Sequence, residues 1–536
     1  MKYQFEKLDF ANTFSGNRQS VEGLFKLKKW TVRNQGSYLN SDSDVATSNF
    51  LRNQSQIRFH QKKYWIGSSM RLENNQQIIK STNQLSSLSQ RFSEYGFVLG
   101  RGDSTKVYVE LGYLKRVNDS LQSRSFGSVL ERVNQSQTYQ FKSKLIQTTK
   151  SDLSLNVNYR VLDFVDSMKK KESSLNSRIF YNDRFFSQLI QNTSAFETNS
   201  GSIPQQEFTY LEVNLGQGVY TWNDYNNNGI QELQEFEVAP FIDQAKYIRV
   251  YLPNQIYIKT HQNKFSESII LNPNQWQNKV GLQKLLSHFY NQTTFLIDRK
   301  VKREGNNFDL NPFSRSDENV LGLNSSFRNS LFYNRGKQNH SCTYSFIQNK
   351  TVSLLSIGSQ ESKNSSHQLQ YSHLYQKSWL FGLFTKTIQT AIVSENFPEK
   401  NYDIKGFQLA PKISYLFSKN TSWDLFYELQ SKENKKGSFE TLLQNRFGTS
   451  FSYVGKMNLI LNGEISFYQN KFRGNDLSSI GFQMLEGLQT GQNLTWRILL
   501  QKKLTQFLDI NFNYQGRKSE SSSAIHTGNV QLRAYF

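Results

Sequence analysis

Residues 222–237 read Trp-Asn-Asp-Tyr-Asn-Asn-Asn-Gly-Ile-Gln-Glu-Leu-Gln-Glu-Phe-Glu, and the spacing of their oxygen-bearing side chains suits a hard cation. Asp224, Asn226 and Asn228 stand at alternate positions, and Gly229 permits a sharp bend. Glu232 and Glu235 fall at the ninth and twelfth positions counted from Asp224. This is the pattern D-x-[DN]-x-[DN]-G-x5-E, in which the main-chain carbonyl of the seventh residue, here Ile230, adds another oxygen. Calcium takes roughly six to eight such oxygens, and a loop with so few charged ligands would hold it with modest affinity, as suits a calcium-rich exterior. The flanks 208–220 and 247–257 read as strands, so the ion's expected role is structural. In so Asn-rich a chain, the same residues can also form an ordinary turn.

Other chemistry is sparse. The seven histidines are scattered, and the single cysteine, Cys342, excludes an internal disulfide or a Cys-based zinc site. There is no G-x-S-x-G, P-loop or G-x-G-x-x-G pattern, and Arg101-Gly102-Asp103 reads as a turn. No catalytic residue is therefore assigned. An outer-membrane hydrolase, whose Ser, His and acid would be dispersed over strands, is the least favoured alternative. The net charge of +21 is spread along the chain, with Lys169-Lys170-Lys171 as its densest cluster. Charge so dispersed points to solvated loops and rims facing phosphorylated lipid, not to nucleic acid.

The elements that would position such a loop announce themselves at the carboxyl end. Val530, Leu532, Ala534 and Phe536 share one face of a final strand, with Gln531, Arg533 and Tyr535 on the other. A terminal Phe on an apolar face resembles the signal read by outer-membrane insertion machinery. Upstream, Leu508, Ile510, Phe512 and Tyr514 alternate with Asp509, Asn511, Asn513 and Gln515. Leu494, Trp496, Ile498 and Leu500 alternate with Thr495, Arg497, Leu499 and Gln501. One face is apolar and the other polar, as in a transmembrane barrel strand of about 9–11 residues.

Similar alternation covers 407–417, 423–429, 447–453 and 459–467, and from residue 283 onward it suggests about fourteen strands. The links alternate too: 418–421 is tight, 433–437 is longer, and 454–456 is tight again. Barrels place short turns in the periplasm and long loops outside. Phe417, Tyr453, Tyr468 and Tyr514 are expected in interfacial girdles. Glu428, Glu464, Arg497, Asp509 and Asn511 are expected in a polar lumen.

The period of two continues through 100–220, where Val107, Val109, Leu111 and Tyr113 share a face, as do Leu153, Leu155, Val157 and Tyr159. Three regions are therefore expected: a mixed β-rich stretch at 1–95, a strand region with the calcium-type loop at 96–270, and a barrel at 271–536. The middle region either belongs to one larger barrel of twenty or more strands or forms a periplasmic sheet. The start, Met1-Lys2-Tyr3-Gln4-Phe5-Glu6-Lys7, has no apolar h-region, so the export signal is expected upstream of a chain that is a piece of a longer one.

Two stretches carry a family resemblance. Residues 205–210, Gly216 through Tyr225, the Asn-Gly-Ile-Gln-Glu run and Gln244 through Val250 resemble a large outer-membrane protein family of Bacteroidota. The ending from Gly516 to Leu532 resembles that family's carboxyl terminus. The likeness runs from about residue 95 onward, and its members are generally longer at the amino end. It implies fold and location and supplies no catalytic residue or substrate.

The expectation is thus an all-β, antiparallel transmembrane barrel of fourteen or more strands in the outer membrane of a Gram-negative bacterium. Its partners would be outer-membrane lipid, lipopolysaccharide and, during biogenesis, the barrel-insertion machinery. It would act without catalysis as a pore, an export or assembly component, or a surface scaffold, with structural calcium. A soluble or surface-attached β-rich adhesin is the alternative.

Overall fold

The computed structural model describes the chain except for residues 11–12, 104–105, 125–126, 205–206, 253–256, 304, 315–318, 338, 356–357, 456–458 and 536. The terminal Phe536 and part of the 454–456 turn therefore lie outside the described residues. One sheet of twenty-five strands dominates. Gln84–Leu85 is only two residues long, which leaves twenty-four long strands in that sheet. Each of these pairs antiparallel with its neighbours along the chain, from Lys2–Phe10 against Phe14–Leu27 to Leu508–Ser519 against Ile525–Ala534.

The sheet runs unbroken through residues 95 and 270, each of which falls inside a strand, Gln90–Gly102 and Tyr257–Leu271 respectively. It is one wall, and the described strands from Gln90–Gly102 to Ile190–Pro204 all belong to it.

Alternation decides the two faces of this wall. The register keeps one parity apolar from end to end. Phe25 pairs with Val32, Phe97 with Tyr113, Tyr427 with Phe447, and Phe447 with Phe467. These outward side chains are bare: Phe25 is 50%, Leu111 54% and Phe447 57% exposed. An apolar band crossing every part of a wall this large far exceeds what a soluble surface tolerates, and it is satisfied by lipid. The chain is a transmembrane β-barrel of outer-membrane type, and the soluble adhesin reading fails on this band.

Among the described residues the long strands number twelve after residue 283, where about fourteen were expected. The reason is their length. Twelve to eighteen residues each, except for the ten of the last, they rise well past the roughly 25 Å of an apolar band, and candidate short strands merge into them. Connections sort by side. On one side lie tight links such as 27–30, 61–64, 375–379, 418–421 and 505–508; on the other lie 79–90, 204–257, 302–320, 394–402 and 473–491. The sorting has exceptions on both sides: 271–289 on the tight side is long and carries the short helix α1 (Leu282–Leu286), and 43–46 on the other side is short. The long-loop side is the outer mouth.

The 204–257 connection folds by itself. Glu207–Glu212 pairs with Tyr247–Leu252, and Tyr220–Trp222 pairs with Phe236–Val238, making a four-stranded sheet. Its core is aromatic: Phe208, Phe236 and Tyr247 are buried, and Tyr210 stacks on Phe236 with ring centroids 4.0 Å apart. A sheet this small needs such dense packing, because its backbone ladder alone is marginal. The strands it interrupts stay in register to the end, with Pro204 opposite Tyr257.

Candidate functional site

The insert's calcium-type loop joins the central strand Tyr220–Trp222 to the edge strand Phe236–Val238. Asp224 accepts the Asn228 N–H on Oδ1 at 3.1 Å and the Gly229 N–H on Oδ2 at 2.8 Å. Asn226 Oδ1 accepts the Asn228 N–H at 3.0 Å, and Asn228 Oδ1 accepts that of Ile230 at 2.7 Å. The first three expected ligands thus converge on one turn, which Gly229 completes at φ +70°, where a side chain would be strained.

The acidic pair is arranged differently. Glu235 is 2% exposed; its Oε2 accepts from Trp222 Nε1 at 2.7 Å and its Oε1 from the Tyr225 N–H at 3.2 Å. With Glu232 it forms a capping box around a single 3-10 turn. Glu232 Oε2 accepts from Asn226 Nδ2 at 2.7 Å. Asp224, Asn226 and Asn228 bring side-chain oxygens to one turn, where these oxygens accept main-chain N–H groups. Glu235 is set apart from that turn by its buried bonds to Trp222 and Tyr225. The sequence marks this second role through the spacing of Glu232 and Glu235, which suits a cap as well as a metal.

The insert is fastened over the lumen. Glu237, on the strand that follows the loop, is buried; its Oε1 meets Lys400 Nζ at 3.0 Å and Ser479 Oγ at 2.7 Å, and its Oε2 meets Gln483 Nε2 at 3.0 Å. Asp243 pairs with Arg517 at 2.5 Å, and that guanidinium lies 4.3 Å from the centroid of the Phe241 ring. Pro240 and Phe241 abut Gly487, where an added Cβ would stand 2.8 Å from Pro240 Cγ. The insert thereby touches two loops of the outer mouth and the barrel wall itself. Burial pushes the hydroxyl pKa of Tyr210 up to about 12, and burial raises that of Tyr225 as well, so both stay neutral in this packing.

Beside the insert, α2 (Ser479–Leu485) turns into the lumen. Met484 and Leu485 are fully enclosed with Ile480, Tyr402, Ile404 and Leu442. Lys432 Nζ donates to the Met484 carbonyl at 3.0 Å and pairs with Glu486 at 2.6 Å, a cation holding the helix C-terminus. The lumen expected to be polar throughout therefore has an apolar knot at its mouth. Its signal in the sequence was Ile404 and Leu442 at inward positions near strand ends.

Below the insert and helix lies a cavity of about 580 Å³. Of the residues expected in the lumen, Glu428, Glu464 and Arg497 line it. Asp509 and Asn511 share the inward face of Leu508–Ser519 but do not line the cavity, and an Oδ1 of each is buried without a hydrogen-bond partner among the described residues. Arg446, which the strand reading passed over, is central: it meets Glu464 at 2.6 Å and Glu428 at 3.3 Å. Tyr468 was expected in a girdle. It lines the cavity instead, with Arg446 5.3 Å from its ring centroid, because its position has inward parity. Phe417 and Tyr453 are exposed on the outer face, as a girdle requires.

No protein-family model matches the chain, and no curated protein matches it. Among solved structures, the chain is similar to the FrpB iron transporter from Neisseria meningitidis at 10% identity, over 94% of this chain and 81% of that one, with a TM-score of 0.34. It is also similar to BauA, the ferric preacinetobactin receptor from Acinetobacter baumannii, at 9% identity over 99% and 77% of the two chains, with a TM-score of 0.31. The siderophore receptor PirA from Acinetobacter baumannii has 10% identity over 96% and 75%, with a TM-score of 0.32.

Proposed function

We propose that this chain is a non-enzymatic outer-membrane channel whose polar lumen is lidded at the outer mouth by residues 207–252, with calcium steadying the lid's loop. The observation that carries the reading is the cavity itself. Charged wall residues enclose it from the sides, and the insert's Pro240, Phe241 and Asp243 border it. Such a lid restricts passage until its contacts with Lys400, Ser479, Gln483 and Arg517 are released.

The register at Pro204 and Tyr257 makes the test simple, since a short hairpin can replace the insert without altering the wall. In planar bilayers the shortened chain is expected to show steady conductance well above that of the full chain. Equal conductance would sink the lid, and silence from both forms would favour a surface scaffold or an assembly component.

A further inference from the structure

We infer that the cavity beneath the insert receives an anionic solute, one carrying a carboxylate or phosphate group, through Arg497 and Lys386. The inference rests on the channel reading above and narrows it to a class of cargo.

The argument is an account of charges. Four carboxylates border the cavity, and each is already held. Glu428 and Glu464 are paired with Arg446, Asp243 with Arg517, and Glu486 with Lys432. Glu428 also accepts from Gln408 Nε2 at 2.6 Å, and Glu464 from Ser466 Oγ at 3.1 Å. Four cations border it too, and of these Arg446, shared by two carboxylates, and Arg517 are committed. Arg497 and Lys386 line the same cavity, and among the described residues neither has an ion-pair or hydrogen-bond partner.

Arg497 stands in register between Glu464 and Gln515, yet Glu464 turns to Arg446. A group entering here meets two uncommitted cations and no uncommitted carboxylate. In a space partly screened from bulk water, that difference favours an anion. The planar guanidinium of Arg497 matches a carboxylate or phosphate with two parallel hydrogen bonds, and the lysine adds a compact second charge. A volume of about 580 Å³ is ample for a small organic acid or phosphate ester. The chain's net charge of +21 would draw such solutes to the mouth.

Isothermal titration of the full chain in detergent, with succinate, inorganic phosphate and spermidine as probes, tests this without relying on conductance. Saturable binding of succinate, phosphate or both is expected, and none of spermidine; the two anion arms tell carboxylate from phosphate. Arg497→Gln combined with Lys386→Gln should weaken binding at least about tenfold, whereas Arg497→Lys should retain most of it. Failure of both anions to bind overturns the inference, as does binding that the double substitution leaves unchanged. If the double variant does not fold, the wild-type contrast between anions and spermidine still decides. Anion binding in a chain that never conducts would overturn the channel and spare this inference. Conductance without anion binding would do the reverse.

Discussion

Glu237 is the residue on which the proposed lid depends. Its carboxylate serves Lys400, Ser479 and Gln483 at once, and the Lys400 and Glu237 side chains are only 18% and 10% exposed. Removing one partner of so enclosed a pair leaves the other charge stranded, at a cost of about 2–4 kcal/mol. Glu237→Ala is therefore expected to raise the rate of limited proteolysis within 207–252 by roughly thirtyfold or more, since about 1.4 kcal/mol corresponds to a factor of ten. An unchanged rate would mean that the latch lies elsewhere. None of this could be seen in the sequence, because Glu237 and Ser479 are 242 positions apart. Arg446, by contrast, was within reach. It alternates with Phe447 on a strand whose parity was legible, and only its central place between two carboxylates depended on neighbouring strands.

At the scale of elements, strands were read well and their sum less well. Each strand has one face in lipid and one in a polar lumen, so period two is written locally, and most of the long links stand out by length. Continuity through 95–270 was not written anywhere local. It depends on hydrogen bonds between strands such as Ile190–Pro204 and Tyr257–Leu271, which a long insert separates in the chain. The helix α2 was hidden for a related reason: seven residues form a stable turn only against Tyr402, Ile404 and Leu442 from distant strands.

The 224–235 loop bears its own prediction. If calcium replaces the present N–H donors at Asp224, Asn226 and Asn228, chelation should lower the melting temperature of the insert, and Asp224→Ala should abolish that difference. Identical melting profiles with and without chelator would remove calcium from the account.

For the whole molecule, the question is what a wall of twenty-four long strands must do with its edges. Among the described residues, Lys2–Phe10 pairs only with Phe14–Leu27, and Ile525–Ala534 only with Leu508–Ser519. In hydrocarbon every main-chain N–H and C=O needs a partner, so in the membrane both edges must be covered. A barrel whose edges are covered in this way resists detergent until it is heated. The chain is expected to migrate faster on gels when unheated than when boiled, and to stay in the membrane pellet through carbonate extraction. Identical migration together with release by carbonate would contradict a barrel.

The way the insert is fastened has a further consequence. Lys400, Ser479, Gln483 and Arg517 belong to two separate mouth loops and one strand, and all hold a single small sheet with a rigid aromatic centre. A rigid body tied at several points cannot slip from one tie while keeping the rest at full strength. Its release is cooperative, so single-channel records should step between two levels and not drift through a continuum.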